Sequence, residues 1–215
     1  MPAQLELEFY FDFISGYSYM ASTQLPRLTA EHGSIVRYHP FTLIELMQQV
    51  GNRPTTLECR NKGLYANTDL QRWARLYQVD FAATPYWQRI DFSELGRGAL
   101  VAIEEGRGAD YVKAVYAALF GQPLDLSQRA VLLGVLDRAG FSGARLLDRA
   151  AAPEFAAQLE RNTAAAAKRG VFGSPTLFVG EEMFFGNDRL DFAAEALRGA
   201  AQSQAGARTT VRHEN

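Results

Sequence analysis

The chain has very little cysteine. Cys59 is alone in 215 residues, so no disulfide closes within the chain, and a zinc site built on several cysteines is excluded. A single thiol suits a reducing compartment. Neither sign of charge is in excess: 22 Lys and Arg against 24 Asp and Glu leave a formal net charge of −2. That balance gives no electrostatic footprint for nucleic acid or an anionic membrane. No apolar run approaches the ~20 residues that a membrane span needs. Met1-Pro2-Ala3-Gln4 opens with neither basic residues nor a greasy segment, so we expect no signal peptide and a cytoplasmic protein. His32, His39 and His213 lack metal-ligand spacing. Gly96-Arg97-Gly98 lacks the third glycine and the preceding strand of a dinucleotide-binding loop. Neither Ser15 nor Ser18 sits in the G-x-S-x-G elbow of a hydrolase.

What is present is a large apolar fraction, 47%, enough for a sizeable core. The length favours one domain with room for an insertion. In LELEFYFDF (5–13), Leu5, Leu7, Phe9, Phe11 and Phe13 alternate with polar residues and Tyr10, a period-two strand signal. Helical spacing follows up to Gly33, and IVRYHPFTL (35–43) reads as a second strand whose ladder is broken at Pro40. The next hundred or so residues read as helices. Thr68 with Gln71 forms a capping-box pattern, Ser127 is a candidate N-cap, and Pro153 sits well at a helix start. TLFV (176–179) and EMFF (182–185) flank Gly180-Glu181 as a short hairpin, and Asn187-Asp188 reads as the cap of a last helix.

The order strand–helix–strand, helices, strand–strand–helix predicts an α/β protein of thioredoxin-like fold with a large all-helical insertion. Residues 1–45 and 170–200 make the thioredoxin-like part, 46–169 the helical insertion, and 201–215 a flexible tail.

In that layout the end of the first strand is where a Cys-x-x-Cys pair would stand. Here Ser15 and Ser18 occupy both positions, so the chain itself performs no thiol–disulfide exchange. Ser15 reads either as a plain helix cap or as a hydroxyl that donates to a thiolate bound from outside at the helix start. Ser174-Pro175 directly precedes a strand; in this fold a cis-proline opposite the first helix is expected, leaving the Ser174 backbone to pair with an extended peptide. Gly186-Asn187-Asp188-Arg189 reads as a cap or as a site for a carboxylate and an ammonium together.

The segments FDFISGYSYMA (11–21), VGNRP (50–54), DLQRWARLY (69–77) and GVFGSPTLFVGEEMFFGNDRL (170–190) resemble those of 2-hydroxychromene-2-carboxylate isomerases, relatives of kappa-class glutathione transferases and DsbA-like proteins. The resemblance spans about residues 5–198. It implies Ser15 as the catalytic residue and Ser15, Gly16, Tyr17, Asn52, Ser174, Asn187 and Asp188 as glutathione contacts. Gly16 stands where the family usually has proline, and Met47 near where it has a lysine for the substrate carboxylate, with Lys62 as a candidate replacement. Lys62, Tyr65, Tyr86 and Trp87 are candidates for the aromatic substrate's pocket, with Trp73 as a further aromatic. Reduced glutathione as cofactor, a small aromatic substrate and a homodimer are likewise implied. A kappa-like transferase or peroxidase, and a glutathione- or peptide-binding module without turnover, are the alternative functions. Cys59 reads as incidental.

Overall fold

The computed structural model describes residues 4–212, with side chains described to residue 203. Four strands, β1 (Glu6–Phe11), β2 (Ile35–Pro40), β3 (Thr176–Val179) and β4 (Glu182–Phe185), form one sheet in the order β2-β1-β3-β4. β1 runs parallel to β2 and antiparallel to β3, and β3 is antiparallel to β4. A parallel pair needs a crossover, supplied by α1 (Gly16–His32). Between β2 and β3 lie α2 (Leu43–Gln49), α3 (Thr55–Glu58), α4 (Arg60–Tyr77), α5 (Phe92–Glu104) and α6 (Gly108–Tyr116). A π-turn (Ala117–Gly121), α7 (Arg129–Arg138), α8 (Gly143–Ala150) and α9 (Pro153–Lys168) complete that stretch. A 3₁₀ turn (Asn187–Arg189) leads into α10 (Leu190–Arg212).

The strict alternation in β1 has a physical basis that extends to both faces. Leu7, Phe9 and Phe11 enter the main core. Tyr10 enters a second one with Phe41, Leu46, Ala166, Val171 and Phe178. Glu8, on that second face, remains half-buried because Arg169 pairs with it while lying 3.8 Å over the Phe178 ring. Burial pushes the Glu8 carboxyl up, but the Arg169 hydrogen bond and charge, aided by His39, hold it below its ordinary value. The inserted helices share the main core: Leu95, Tyr111, Tyr116 and Leu119 belong to the same cluster as Phe9, Phe11 and Phe13.

Several local readings are corrected. β2 ends at Pro40, and residues 41–43 lead into α2 instead of extending the strand. Thr68 lies inside α4, its hydroxyl donating to the Leu64 carbonyl at 3.3 Å; the helix starts well before the capping-box pattern. Ser127 donates to Asp125 rather than capping α7, which follows Gln128. At Ser127 a nearby polar side chain, Asp125, competes for the hydroxyl. Asn187-Asp188 opens a 3₁₀ turn instead of capping α10 directly. From residue 201 to Arg212 the backbone continues α10, where a flexible tail is expected; Ala and Gln there are good helix formers even with Val211 as the one large apolar residue. The rest of that expected tail, His213 included, lies outside the described residues. Among the described residues no helix is long and apolar enough to cross a membrane.

Candidate active site

β1 stops where the chain turns back on itself, with the Ser15 N–H donating to the Asp12 carbonyl at 3.0 Å. Ser15 has extended backbone angles and caps α1, its Oγ accepting from the Ser18 N–H at 3.1 Å. That cap leaves the hydroxyl proton free to go elsewhere. Ser15 donates it to the Ser174 carbonyl, 3.0 Å away and 159 residues along the chain. The Ser174–Pro175 peptide is cis, as the fold reading expects. The Ser174 hydroxyl lies 2.6 Å from the Ser18 Oγ and accepts from the Asp12 N–H at 3.0 Å. Ser15, Ser18 and Ser174 thus form one cluster, with Ser15 only 8% exposed.

Asp12 underlies this cluster. Its carbonyl also accepts from the Tyr116 hydroxyl at 3.0 Å. Its carboxylate accepts from the Leu43 N–H at 2.7 Å and the Ile14 N–H at 3.2 Å. Burial pushes the carboxyl up to about 6, partly offset by those backbone donors.

The other five expected contacts are held in different ways. Asn52 donates through Nδ2 to the Phe172 carbonyl at 2.8 Å and accepts from the Arg53 N–H, tying the loop after α2 to the loop before β3. Asn187 is 3% exposed, and its Nδ2 is buried without a hydrogen-bond partner among the described residues. Its carbonyl accepts from the Tyr77 hydroxyl of α4 at 3.2 Å. Asp188 is exposed and pairs with its neighbour Arg189. Tyr17 turns its hydroxyl to Asp69 of α4 at 3.1 Å, and the same carboxylate oxygen accepts from Trp73 Nε1. Gly16 faces the tip of Leu70.

The substrate-side candidates are more dispersed. Lys62 and Tyr65 are exposed on the first turns of α4, Tyr65 beneath Arg72. Tyr86 is half-buried beside Arg89, and Trp87 is exposed in the segment before α5. Among the described residues no hydrogen bond joins these four to Ser15, Ser174 or Asn187. Cys59 is exposed and precedes α4 without capping it through its side chain.

Sequence reasoning passed over Asp12, Tyr116 and Asp69 and ranked Ser18 below Ser15. Asp12 carried a readable signal: a carboxylate between Phe11 and Phe13, where the buried strand ends. Tyr116 read only as part of an apolar helix face, and nothing local distinguishes it from its neighbours.

Comparison with known proteins places this geometry in context. A family model for the DSBA-like thioredoxin domain matches residues 6–198. A 2-hydroxychromene-2-carboxylate isomerase of Pseudomonas putida is 35% identical over 199 residues, 89% of this chain and 93% of the relative. One from Sphingobium xenophagum is 32% identical over 192 residues, 89% of this chain and 97% of the relative. Kappa 1 glutathione S-transferase of Caenorhabditis elegans is 25% identical over 92% of this chain and 93% of its own length. Among solved structures, a 2-hydroxychromene-2-carboxylate isomerase superposes with a TM-score of 0.85 at 28% identity, covering 94% of this chain and 99% of the other. A serine-capped first helix facing a cis-proline loop across a four-stranded sheet, matched along nearly the whole chain, makes this protein a member of the DSBA-like thioredoxin family.

Proposed function

We propose that the protein is a glutathione-dependent isomerase that converts 2-hydroxychromene-2-carboxylate, or a related intermediate of aromatic degradation, to trans-o-hydroxybenzylidenepyruvate. The observation that carries the reading is the Ser15 hydroxyl, poised at the start of α1 and 3.0 Å from the Ser174 carbonyl. Its support from relatives is graded: three isomerases are 32–35% identical, against 24–25% for three kappa transferases. A transferase or peroxidase therefore ranks second.

The residues fit reduced glutathione. The unpartnered Asn187 Nδ2 is a donor that suits a carboxylate or amide oxygen. The exposed Asp188 carboxylate suits an ammonium group, and Asn52 stands on the loop tied to Phe172. The Ser174 backbone suits the cysteinyl amide, next to Ser15. Gly16 and Tyr17 form the turn beneath it.

When bound, glutathione supplies a thiolate whose reversible addition to a conjugated C=C allows rotation about that bond. Ser15 has one proton to donate, held on the Ser174 carbonyl. A ligand N–H arriving at that carbonyl releases the Ser15 proton to turn toward sulfur. The unpaired N–H groups of the first turn of α1 favour an anion at the same place. Ser15 thus stabilises charge and attacks nothing, and no histidine base is required. Lys62, Tyr65, Tyr86 and Trp87 form the aromatic substrate's side of the site. Tyr65 and Trp87, 61% and 44% exposed, have apolar area free for a ring to cover. The same reading makes the protein a cytoplasmic homodimer.

Calorimetric titration with reduced glutathione, followed by an absorbance assay of the isomerisation, tests the reading. Binding heat, a thermal upshift and glutathione-dependent turnover are expected. Absence of heat and of any thermal shift at millimolar glutathione overturns it.

A further inference from the structure

We propose that Asp12 is a positioning residue whose carboxylate holds the loops of the glutathione site in register, so that ligand affinity follows its ionisation. The inference rests on the glutathione reading above and extends it to a residue that does not face the ligand.

Asp12 touches the loop that carries Ser174, the turn that carries Ser15, and the head of the helix that leads to Asn52. Its N–H reaches the Ser174 hydroxyl and its carbonyl receives the Ser15 N–H. One carboxylate oxygen receives Ile14, the residue before Ser15, and the other receives Leu43, the first residue of α2. Thr42, at the head of α2, makes no side-chain cap, so Asp12 supplies that acceptor from the residue after β1. The far end of α2 leads through Gly51 to Asn52, whose amide closes back on the loop before Ser174. Two backbone donors need two acceptor oxygens. A carboxylate provides both, whereas a protonated acid must turn one into a donor and loses a partner.

The surroundings make this ionisation responsive to pH. Asp12 is 7% exposed, and among the described residues no basic side chain pairs with it. The titratable groups facing it are Glu45 of α2, whose charge raises it further, and Tyr116 of α6, whose hydroxyl reaches its carbonyl. His39 of β2 is engaged with Glu8 instead. A buried carboxylate without a cation costs stability, and departures of that kind concentrate at functional sites.

The test is calorimetric affinity for S-methylglutathione, whose blocked sulfur removes thiol ionisation from the readout. With the competent fraction set by Asp12 titrating at about 6, wild-type affinity is expected to be roughly tenfold weaker at about pH 5 than at about pH 7.5. Asp12→Asn, with a donor in place of one acceptor, is expected to bind weakly across that range with a flat profile. His39→Gln is expected to keep the wild-type profile. Should Asp12→Asn fail to fold, the wild-type and His39→Gln profiles still decide. A wild-type affinity independent of pH in this window overturns the proposal, as does an Asp12→Asn protein that binds like wild type. So does loss of the pH dependence in His39→Gln. Failure of the wild type to bind reduced glutathione at neutral pH sinks the glutathione reading itself and this inference with it, a result distinct from pH-independent binding.

Discussion

At Ser15 one oxygen performs two tasks, accepting the Ser18 N–H and donating to the Ser174 carbonyl. Ser15→Ala removes both. Losing the cap is expected to lower stability by about 1 kcal/mol. Losing a hydrogen bond to a charged sulfur, about 1.5–3 kcal/mol, is expected to cut turnover roughly 10- to 150-fold at neutral pH. The deficit shrinks at high pH, where the thiol ionises unaided, and a pH–rate profile at saturating glutathione reads this. Loss of all activity at every pH, or a covalent adduct trapped on Ser15, would make the serine a nucleophile. Asp12 invites a stability measurement. Its folded value, about 6, lies above the unfolded one, so the folded chain holds the proton more tightly. Its contribution is greatest in acid and is lost as pH rises from about 4 to about 6. Chemical denaturation is therefore expected to show wild type losing about 3 kcal/mol relative to Asp12→Asn across that window, at 1.36 kcal/mol per pKa unit. A constant difference would contradict a buried, titrating Asp12. Glu8 acts in the opposite sense: its folded value is lowered, so its stabilisation is lost as pH falls.

At the scale of elements, the site is held by ties between segments distant in sequence. Asn52 joins the end of α2 to the loop before β3 through one exposed hydrogen bond. Asn52→Ala is expected to raise the KM for glutathione with little change in kcat and a stability loss of at most about 1 kcal/mol, since exposed hydrogen bonds contribute little. Steady-state kinetics and a melting curve separate the two; an unchanged KM would remove Asn52 from the ligand's surroundings. Tyr17 ties α1 to α4 through Asp69. Removing the hydroxyl in Tyr17→Phe is expected to cost about 1 kcal/mol and leave Ser15 chemistry in place, because the ring still packs against the main core.

Across the whole molecule the insertion and the sheet are one packing unit. Tyr116, on an inserted helix, is fully buried among Phe11, Phe13 and Tyr19 and sends its hydroxyl to Asp12 at the end of β1. Tyr116→Phe leaves the Asp12 carbonyl short of a partner and is expected to cost about 1–3 kcal/mol. Because the core is shared, thermal unfolding is expected to give coincident transitions by far-ultraviolet dichroism and by tryptophan fluorescence, in wild type and in this variant. Both tryptophans, Trp73 and Trp87, lie in the insertion, so separate transitions would show it unfolding apart from the sheet.

The sequence alone determined what depends on neighbours in the chain. The alternation of LELEFYFDF made β1, Pro40 ended β2, and Gly180 turned β3 into β4. The order of strands and helices then sufficed for the thioredoxin layout, and the placing of the Ser174–Pro175 loop opposite the start of α1 was legible from it. Local signals misled where tertiary packing outweighed them, as at Thr68 within α4, or where a competing side chain was nearby, as at Ser127. Only the tertiary structure decided that Asp12 is buried, that Ser15 gives its proton to a carbonyl far along the chain, and that Tyr116 reaches across from the insertion. The physical reason is burial. Hydrogen-bond partners and desolvation are set by what closes over a residue in space, and a polar side chain in a linear pattern carries no record of which distant segment will cover it.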